Sequence, residues 1–412
     1  MKTITRIAPI FALLSFGTAQ ATDGYFAHGY GVKSLGAGGV GIALPQDTLV
    51  IASNPAGLAL LGNRLDIGAT WFRPIRESQI EGSAAPINGT YDGSDTKNFL
   101  IPEFGYSKEI NPDVTVGLAV YGNGGMNTDY KKGYPLFGNT RAGVDLAQIF
   151  VAPTVAWKIT PTQSIGVTIN LAYQRFEAKG LQNFIPASQS PNNLTNNGHD
   201  SSYGAGIHIG WLGQITDSVT LGAHYQSKTF MTKFDDYKGL FANQGEFDIP
   251  ASYGLGLAVK ATPDLTLAAD IQRIDYSDVD SVGNSVSKFF TAPLGSNKGA
   301  GFGWQDATTY KLGAVYNYNQ NLTLRAGYNH VDQPIPSDQT LFNVLAPGVV
   351  KDHVTLGATW KLANSNELSL SYAHAFENKV NGKNSIPAAF GGGESNLKMY
   401  QDSIGIAYSW LL

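Results

Sequence analysis

The sequence predicts an all-β protein, a fourteen-stranded antiparallel transmembrane β-barrel with an N-terminal hatch plugging its lumen. Three observations predict it. Segments of alternating polarity fill the chain beyond about residue 64. The connections between them are alternately short and long, as in outer-membrane barrels with short periplasmic turns and long outer loops. Charged residues are only 15% of the chain, while glycine (48) and aromatic residues (11%) are plentiful. Soluble domains usually carry about 25% charged residues, and a wall facing lipid cannot display them.

The elements follow in order. Lys2 and Arg6, an apolar stretch from Ile7 to Phe16, and Ala19-Gln20-Ala21 have the layout of a secretory signal peptide, residues 1–21. Export to the outer membrane of a Gram-negative cell, as a multi-pass protein, is the expected localisation. Beyond residue 21 no apolar run approaches the roughly 20 residues of a membrane helix. With no cysteine, neither disulfides nor a thiolate metal site can hold the chain together. Residues 22–63 do not alternate and are rich in glycine, which suits a plug, because irregular backbone at membrane depth must be buried in protein or face water.

Residues 64–412 read as the barrel. Ile165, Val167, Ile169, Leu171 and Tyr173 alternate with Gly166, Thr168, Asn170, Ala172 and Gln174, and the same pattern recurs around 151–159, 203–211, 265–272 and 322–329. Short turns fall at 111–113, 160–163, 216–218, 262–264, 319–321 and 364–366, and long loops centre near 86, 133, 190, 240, 290, 341 and 388. Six turns and seven loops join fourteen strands. The last segment, Ile404, Ile406, Tyr408, Trp410 and Leu412, alternates to the final residue. Alternation turns Glu103, Lys158, Asp270, Lys311 and Arg325 into the lumen, with His208 and His224 on neighbouring strands. A salt-bridge network steadying barrel and hatch is the expected use of these charges.

The plug carries Gly29-Tyr-Gly31, Lys33-Ser34, Gly36-Ala-Gly38-Gly39, Asp47 and Asn54-Pro55-Ala56-Gly57. Downstream stand Gly303-Trp304-Gln-Asp306, Tyr310-Lys-Leu-Gly313 and Arg325-Ala-Gly-Tyr328 with Pro334 soon after. In these residues and in their order the chain resembles the long-chain fatty acid transporter family, FadL-type, which includes the TodX-like aromatic hydrocarbon transporters. The resemblance implies a monomeric barrel with a hatch, a first apolar groove among the outer loops, and a second pocket near the mature N-terminus. It implies a sideways exit into the membrane where the third strand kinks, with Asn54, Pro55 and Ala56 seated against the kink. That kink is expected at Gly122-Asn-Gly124-Gly125, since glycine weakens strands and permits bends. Candidate ligand contacts are Leu181, Phe184 and Ile185 in one loop, Tyr237, Leu240 and Phe241 in the next, and Tyr25 and Phe26 at the inner pocket.

Other chemistry finds little support. Gly36, Gly38 and Gly41 match G-x-G-x-x-G literally but stand in no βαβ unit, so no nucleotide site is expected. Two histidines without further ligands define no metal site. Asp278 with Asp280, and Asp235 with Asp236, lack calcium-loop spacing. Net charge is −4 with no Lys/Arg block, which argues against nucleic acid. No cofactor is implied. The expected partners are a hydrophobic small molecule and outer-membrane lipid. A general diffusion porin is the first alternative, although a porin keeps an open lumen. An outer-membrane lipase-type enzyme is another; no G-x-S-x-G elbow occurs and no His stands beside a Ser. A surface adhesin or phage receptor could coexist with transport.

Overall fold

Alternation produces strands wherever one face must meet lipid and the other the lumen. The computed structural model describes residues 22–412, so the expected signal peptide, 1–21, lies outside the described residues. The barrel strands are β1 (Arg64–Glu81), β2 (Phe99–Asn111), β3 (Val114–Asn127), β4 (Gly143–Thr160), β5 (Gln163–Lys179), β6 (Asp200–Gln214) and β7 (Val219–Gln226). Then come β8 (Ser252–Lys260), β9 (Leu265–Ile274), β10 (Ala307–Asn319), β11 (Leu322–Val331), β12 (Asp352–Lys361), β13 (Glu367–Val380) and β14 (Glu394–Leu411). Each pairs antiparallel with its neighbours, and β1 closes on β14 from Arg64↔Leu411 to Glu81↔Glu394. Closure pairs every barrel strand on both sides over at least part of its length. Two short strands, Gly89–Asp92 and Phe230–Met231, lie in the long connections.

The two faces separate as the sequence requires. Val155, Trp157, Val167, Ile169, Ile207 and Leu255 are exposed outward, whereas Thr154, Thr168, Asn170 and His208 are buried inward. Apolar side chains on the outer wall lose nothing in lipid, while charge there is costly.

Residues 22–63 wind through the lumen and are almost wholly buried. Regular structure is limited to one helical turn, α1 (Val32–Leu35), and two 3-10 turns, Thr48–Ala52 and Pro55–Leu60. Glycine lets this segment lie directly on the wall. Gly38 has φ +72°, a left-handed conformation that L side chains rarely adopt, and a Cβ on it would strike the backbones of Leu312 and Tyr328.

The inward charges then take up the backbone donors that so irregular a segment leaves free. Asp270 accepts from Gly41 N at 2.8 Å and Ile42 N at 3.1 Å, and Glu103 accepts from Val32 N at 3.1 Å. Arg325 Nε donates to Gln46 Oε1 at 2.6 Å, and Lys311 Nζ lies 3.5 Å from Asp23 Oδ2. His208 Nε2 and His224 Nδ1 meet at 3.1 Å. Lys158 is the exception: it lines a cavity at the turn end of the barrel instead.

Candidate functional site

The wall is divided at one place. β2 and β3 pair only from Phe104↔Val120 down to the turn. Above that level β2 stays with β1 as far as Phe99↔Phe72, and β3 stays with β4 as far as Asn127↔Asp145. The ladder of β3 slips by one residue between Gly122 and Gly124, at the glycines expected to kink. Pro102 sits in β2 beside the split, and a proline inside a strand is tolerated at an edge. It was the one sequence signal that could have located the open side of β2.

The chain's own N-terminal segment takes the place of the missing partner. Phe26 forms an antiparallel bridge with Gly124. Ala27 N donates to Asn123 O at 3.2 Å, and Gly125 N donates to Tyr25 O at 3.0 Å. A side chain at Gly124 would collide with Tyr25 O, so only glycine permits this approach. The side chains of Phe72, Phe99 and Ile101 form a separate apolar cluster on the β1–β2 side of the split.

This arrangement corrects one expectation. Asn54, Pro55 and Ala56 do not sit at the kink but on β5 and β6. Asn54 caps the 3-10 turn, its Oδ1 accepting from Ala56 N at 3.1 Å, while its Nδ2 donates to Ile42 O at 2.7 Å and Trp211 O at 2.9 Å. Ser164 Oγ donates to Ala56 O at 3.0 Å, and Gly166 and Gly210 leave the hollow that receives the turn. Small residues on β5 and β6 decide the seating. The turn reaches β3 lower down, where Leu58 packs on Gly117. Asn54→Ala is expected to cost about 2–3 kcal/mol, from the lost cap and the buried Ile42 carbonyl left without its donor. The urea-unfolding midpoint measures it, and an unchanged midpoint would show that this residue does not fix the segment.

Tyr25 and Phe26 belong to a buried aromatic cluster. The Tyr25 ring lies 5.4 Å from Phe26, 5.1 Å from Tyr276 and 5.7 Å from Trp304, centroid to centroid. Tyr276 Oη accepts from Tyr25 N at 3.2 Å and Phe26 N at 3.3 Å, and donates to Asp23 O. Burial pushes the Tyr276 phenol well above its ordinary value, so it stays a neutral donor. Burial also pushes the Asp23 carboxyl up to about 6, with Lys311 acting against it. Trp304 Nε1 is anchored on Asn343 Oδ1 at 2.5 Å, and Asp306 accepts from Ser277 N at 2.9 Å. The downstream motif residues thus hold the loop that clasps the N-terminal segment.

Above this cluster the outer loops close over an apolar cavity. Leu181, Phe184, Leu240 and Phe241 line it, while Ile185 and Tyr237 stand behind the lining. Tyr237 packs edge-on against Phe176, its ring centroid 4.9 Å away. Phe137, Phe176, Leu294, Phe302, Phe342 and Leu345 also line the cavity, none of which the sequence reading named as a ligand contact. The Phe- and Leu-bearing runs 286–294 and 341–345 were the available signal. The cavity measures about 50 Å³, far below the roughly 300 Å³ at the small end of ligand pockets. Its aromatic walls are drawn together, and an occupant must part them. Among the described residues no cluster of three His, Cys, Asp or Glu could hold a metal ion.

A closed barrel with an outward apolar wall, a lumen occupied by residues 22–63, an apolar outer cavity and a split strand pair is the architecture of an outer-membrane β-barrel protein. The chain belongs to the family described as outer membrane protein transport protein (OMPP1/FadL/TodX), whose sequence profile it matches over residues 17–409. It is 25% identical to a putative outer membrane protein of Neisseria meningitidis serogroup B, covering 97% of each chain. It is 22% identical to a long-chain fatty acid transport protein of Escherichia coli O6:H1, covering 90% of this chain and 91% of that one. Its fold is that of the crystal structure of the Pseudomonas putida toluene transporter TodX, with TM-score 0.70, 18% identity, and coverage of 93% of this chain and 99% of that chain.

Proposed function

We propose that this protein carries hydrophobic compounds, long-chain fatty acids or aromatic hydrocarbons, passively across the outer membrane as a monomer without a cofactor. Cargo lodges first in the cavity lined by Leu181, Phe184, Leu240 and Phe241. It passes to the cluster around Tyr25 and Phe26, and leaves sideways between β2 and β3, with residues 22–63 acting as the hatch. The observation that carries this reading is the unpaired stretch of β2 and β3, filled by residues 25–27 rather than by wall. A route of this kind keeps an apolar solute out of water throughout, and each buried CH₂ is worth about 0.8 kcal/mol. A water-filled pore offers no such gain, and the filled lumen disfavours one. The Escherichia coli relative is a long-chain fatty acid transport protein and the Pseudomonas putida structure is a toluene transporter, which gives the two cargo classes.

The test is uptake of radiolabelled oleate and of toluene by cells lacking their own transporter, with and without this protein. Faster entry of either cargo, with no rise in salt conductance, is expected; a rise in conductance alone would make it a porin. Phe184→Ala removes a ring that meets Phe289 and Phe342 edge-on, with centroids 5.6 Å away in each case. Initial uptake at low cargo concentration is expected to fall about tenfold, the equivalent of about 1.4 kcal/mol of capture. Uptake equal to that of the unsubstituted protein would remove the outer cavity from the route.

A further inference from the structure

The outward face of the wall carries one arrangement twice. On β11, Tyr328 and His330 stand two residues apart and so share a face. Both turn to Asp352 on β12: Tyr328 Oη donates to its Oδ1 at 2.5 Å, and His330 Nδ1 lies 2.7 Å from the same oxygen. On β13, Tyr372 and His374 do the same with Asp402 on β14, each 2.9 Å from its Oδ1. A carboxylate only accepts, so each imidazole gives its Nδ1–H and keeps Nε2 free.

The register makes the two triads neighbours. His330 pairs with Asp352, His374 with Asp402, and Asp402 on its other side with Arg73 of β1. Val354 pairs with His374, which sets Asp352 diagonal to that histidine at roughly 7–8 Å. Arg73 makes no ion pair among the described residues. One polar belt therefore crosses β11 to β14 and reaches β1 at the outer ends of these strands. Directly below it the same face is apolar, with Val354, Leu356, Ile404 and Ile406 exposed. Charge on the outer wall is cheap only near the interface, and tyrosine sits at headgroup level. The belt thus stands where the outer-leaflet headgroups begin.

We infer that this belt is a binding site for a phosphorylated glycolipid of the outer leaflet. The sugars lie against Tyr328 and Tyr372. Hydroxyl and phosphate oxygens meet Nε2 of His330 and His374 and the Arg73 guanidinium, and the acyl chains run down over Val354, Leu356, Ile404 and Ile406. Phosphate is the fitting anion, because guanidinium and imidazolium give it charge-assisted bonds and Arg73 has no carboxylate partner. His330 and His374 stand two interstrand spacings apart, roughly 10 Å, which two linked sugars span and a single phosphodiester does not. The site lies on the lipid side of the wall, apart from the cargo route, and it stands whichever cargo enters.

The test is native mass spectrometry of the purified protein in detergent, offered one lipid at a time. The probes are bis-phosphorylated lipid A, phosphatidylglycerol (phosphate without sugar) and digalactosyl diacylglycerol (sugar without phosphate). The unsubstituted protein is expected to bind lipid A about tenfold more tightly than either of the others. Combining Arg73→Gln, His330→Gln and His374→Gln lowers lipid A binding about tenfold. Uptake of oleate and toluene stays unchanged in that variant, which shows it folded and inserted. His199→Gln removes the histidine of another outer His–Asp pair, 3.0 Å from Asp145 before β6, and leaves lipid A binding as it was. Equal binding of phosphatidylglycerol or of the galactolipid, undiminished binding by the triple variant, or an equal loss in His199→Gln would each overturn the site.

Discussion

A variant carrying Ile101→Cys and Gly122→Cys is expected to lose cargo uptake when oxidised and to recover it in reductant. A Cβ built on Gly122 comes within 3.1 Å of Ile101 Cγ2, so the two positions face each other across the base of the split between β2 and β3. Cysteine side chains at that separation are within reach of a disulfide, and the periplasm is oxidising enough to form one. No native cysteine competes. The bond ties β2 to β3 just above their last ladder pair, Phe104↔Val120. On the lateral route it blocks the only step at which cargo passes the wall, so uptake falls to the level of cells without the protein, at least twentyfold. The outer cavity and the aromatic cluster around Tyr25 are untouched, so binding of cargo to the purified protein persists while transport stops. The reduced protein supplies the control for folding and insertion. Undiminished uptake by the fully oxidised variant would rule out lateral exit at this point and direct attention to a path through the lumen.

The barrel was legible in the sequence because lipid imposes a rule on every second residue. In β5, Val167, Ile169 and Leu171 face outward and Thr168 and Asn170 inward, as period-two alternation requires. The strand count followed from connections that use turn-forming residues on one side only. The lumenal segment obeys no such period. Its path is set by which wall positions are small and which inward charges need donors, so Gly166 and Gly210 decide the seat of Asn54 and Pro55, and Asp270 that of Gly41 and Ile42. Those are pairings across more than a hundred residues, and no local pattern encodes them. The glycines at 122, 124 and 125 announced a weak ladder but not what would occupy it. The outer cavity was half legible for a similar reason. Leu181, Phe184, Leu240 and Phe241 stand out as apolar residues in polar loops, whereas the contribution of Phe302 and Phe342 depends on how five loops fold over one another.

The same long-range logic yields the largest expected loss of stability. Arg64 opens β1 near the periplasmic end and makes a bidentate pair with Asp66, Nη2 to Oδ1 at 2.7 Å and Nε to Oδ2 at 3.0 Å, both side chains being buried. Asp66 also accepts from Thr48 N at 2.9 Å and Thr48 Oγ1 at 2.6 Å, which fixes the start of a 3-10 turn of the lumenal segment. Glu367 on β13 lies 3.4 Å from Arg64 Nη2 and 2.5 Å from Lys33 Nζ in α1. One cluster therefore joins the seam-forming strand β1, β13 and two places in the segment. Removing the guanidinium strands the Asp66 carboxylate among buried groups, and breaking a buried pair in this way costs about 3–5 kcal/mol. Arg64→Ala is thus expected to lower the urea midpoint of unfolding and to expose residues 22–63 to protease before the wall unfolds. Arg64→Leu combined with Asp66→Leu removes both charges together. Its loss should be smaller than that of Arg64→Ala, because the Asp66 charge goes with its partner and what is forfeited is the bonds from Thr48 and the longer Arg64–Glu367 contact. If Arg64→Ala cost less than about 1 kcal/mol, the pair would be behaving as a solvated surface ion pair, and the segment would have to be held by its backbone contacts with the wall alone.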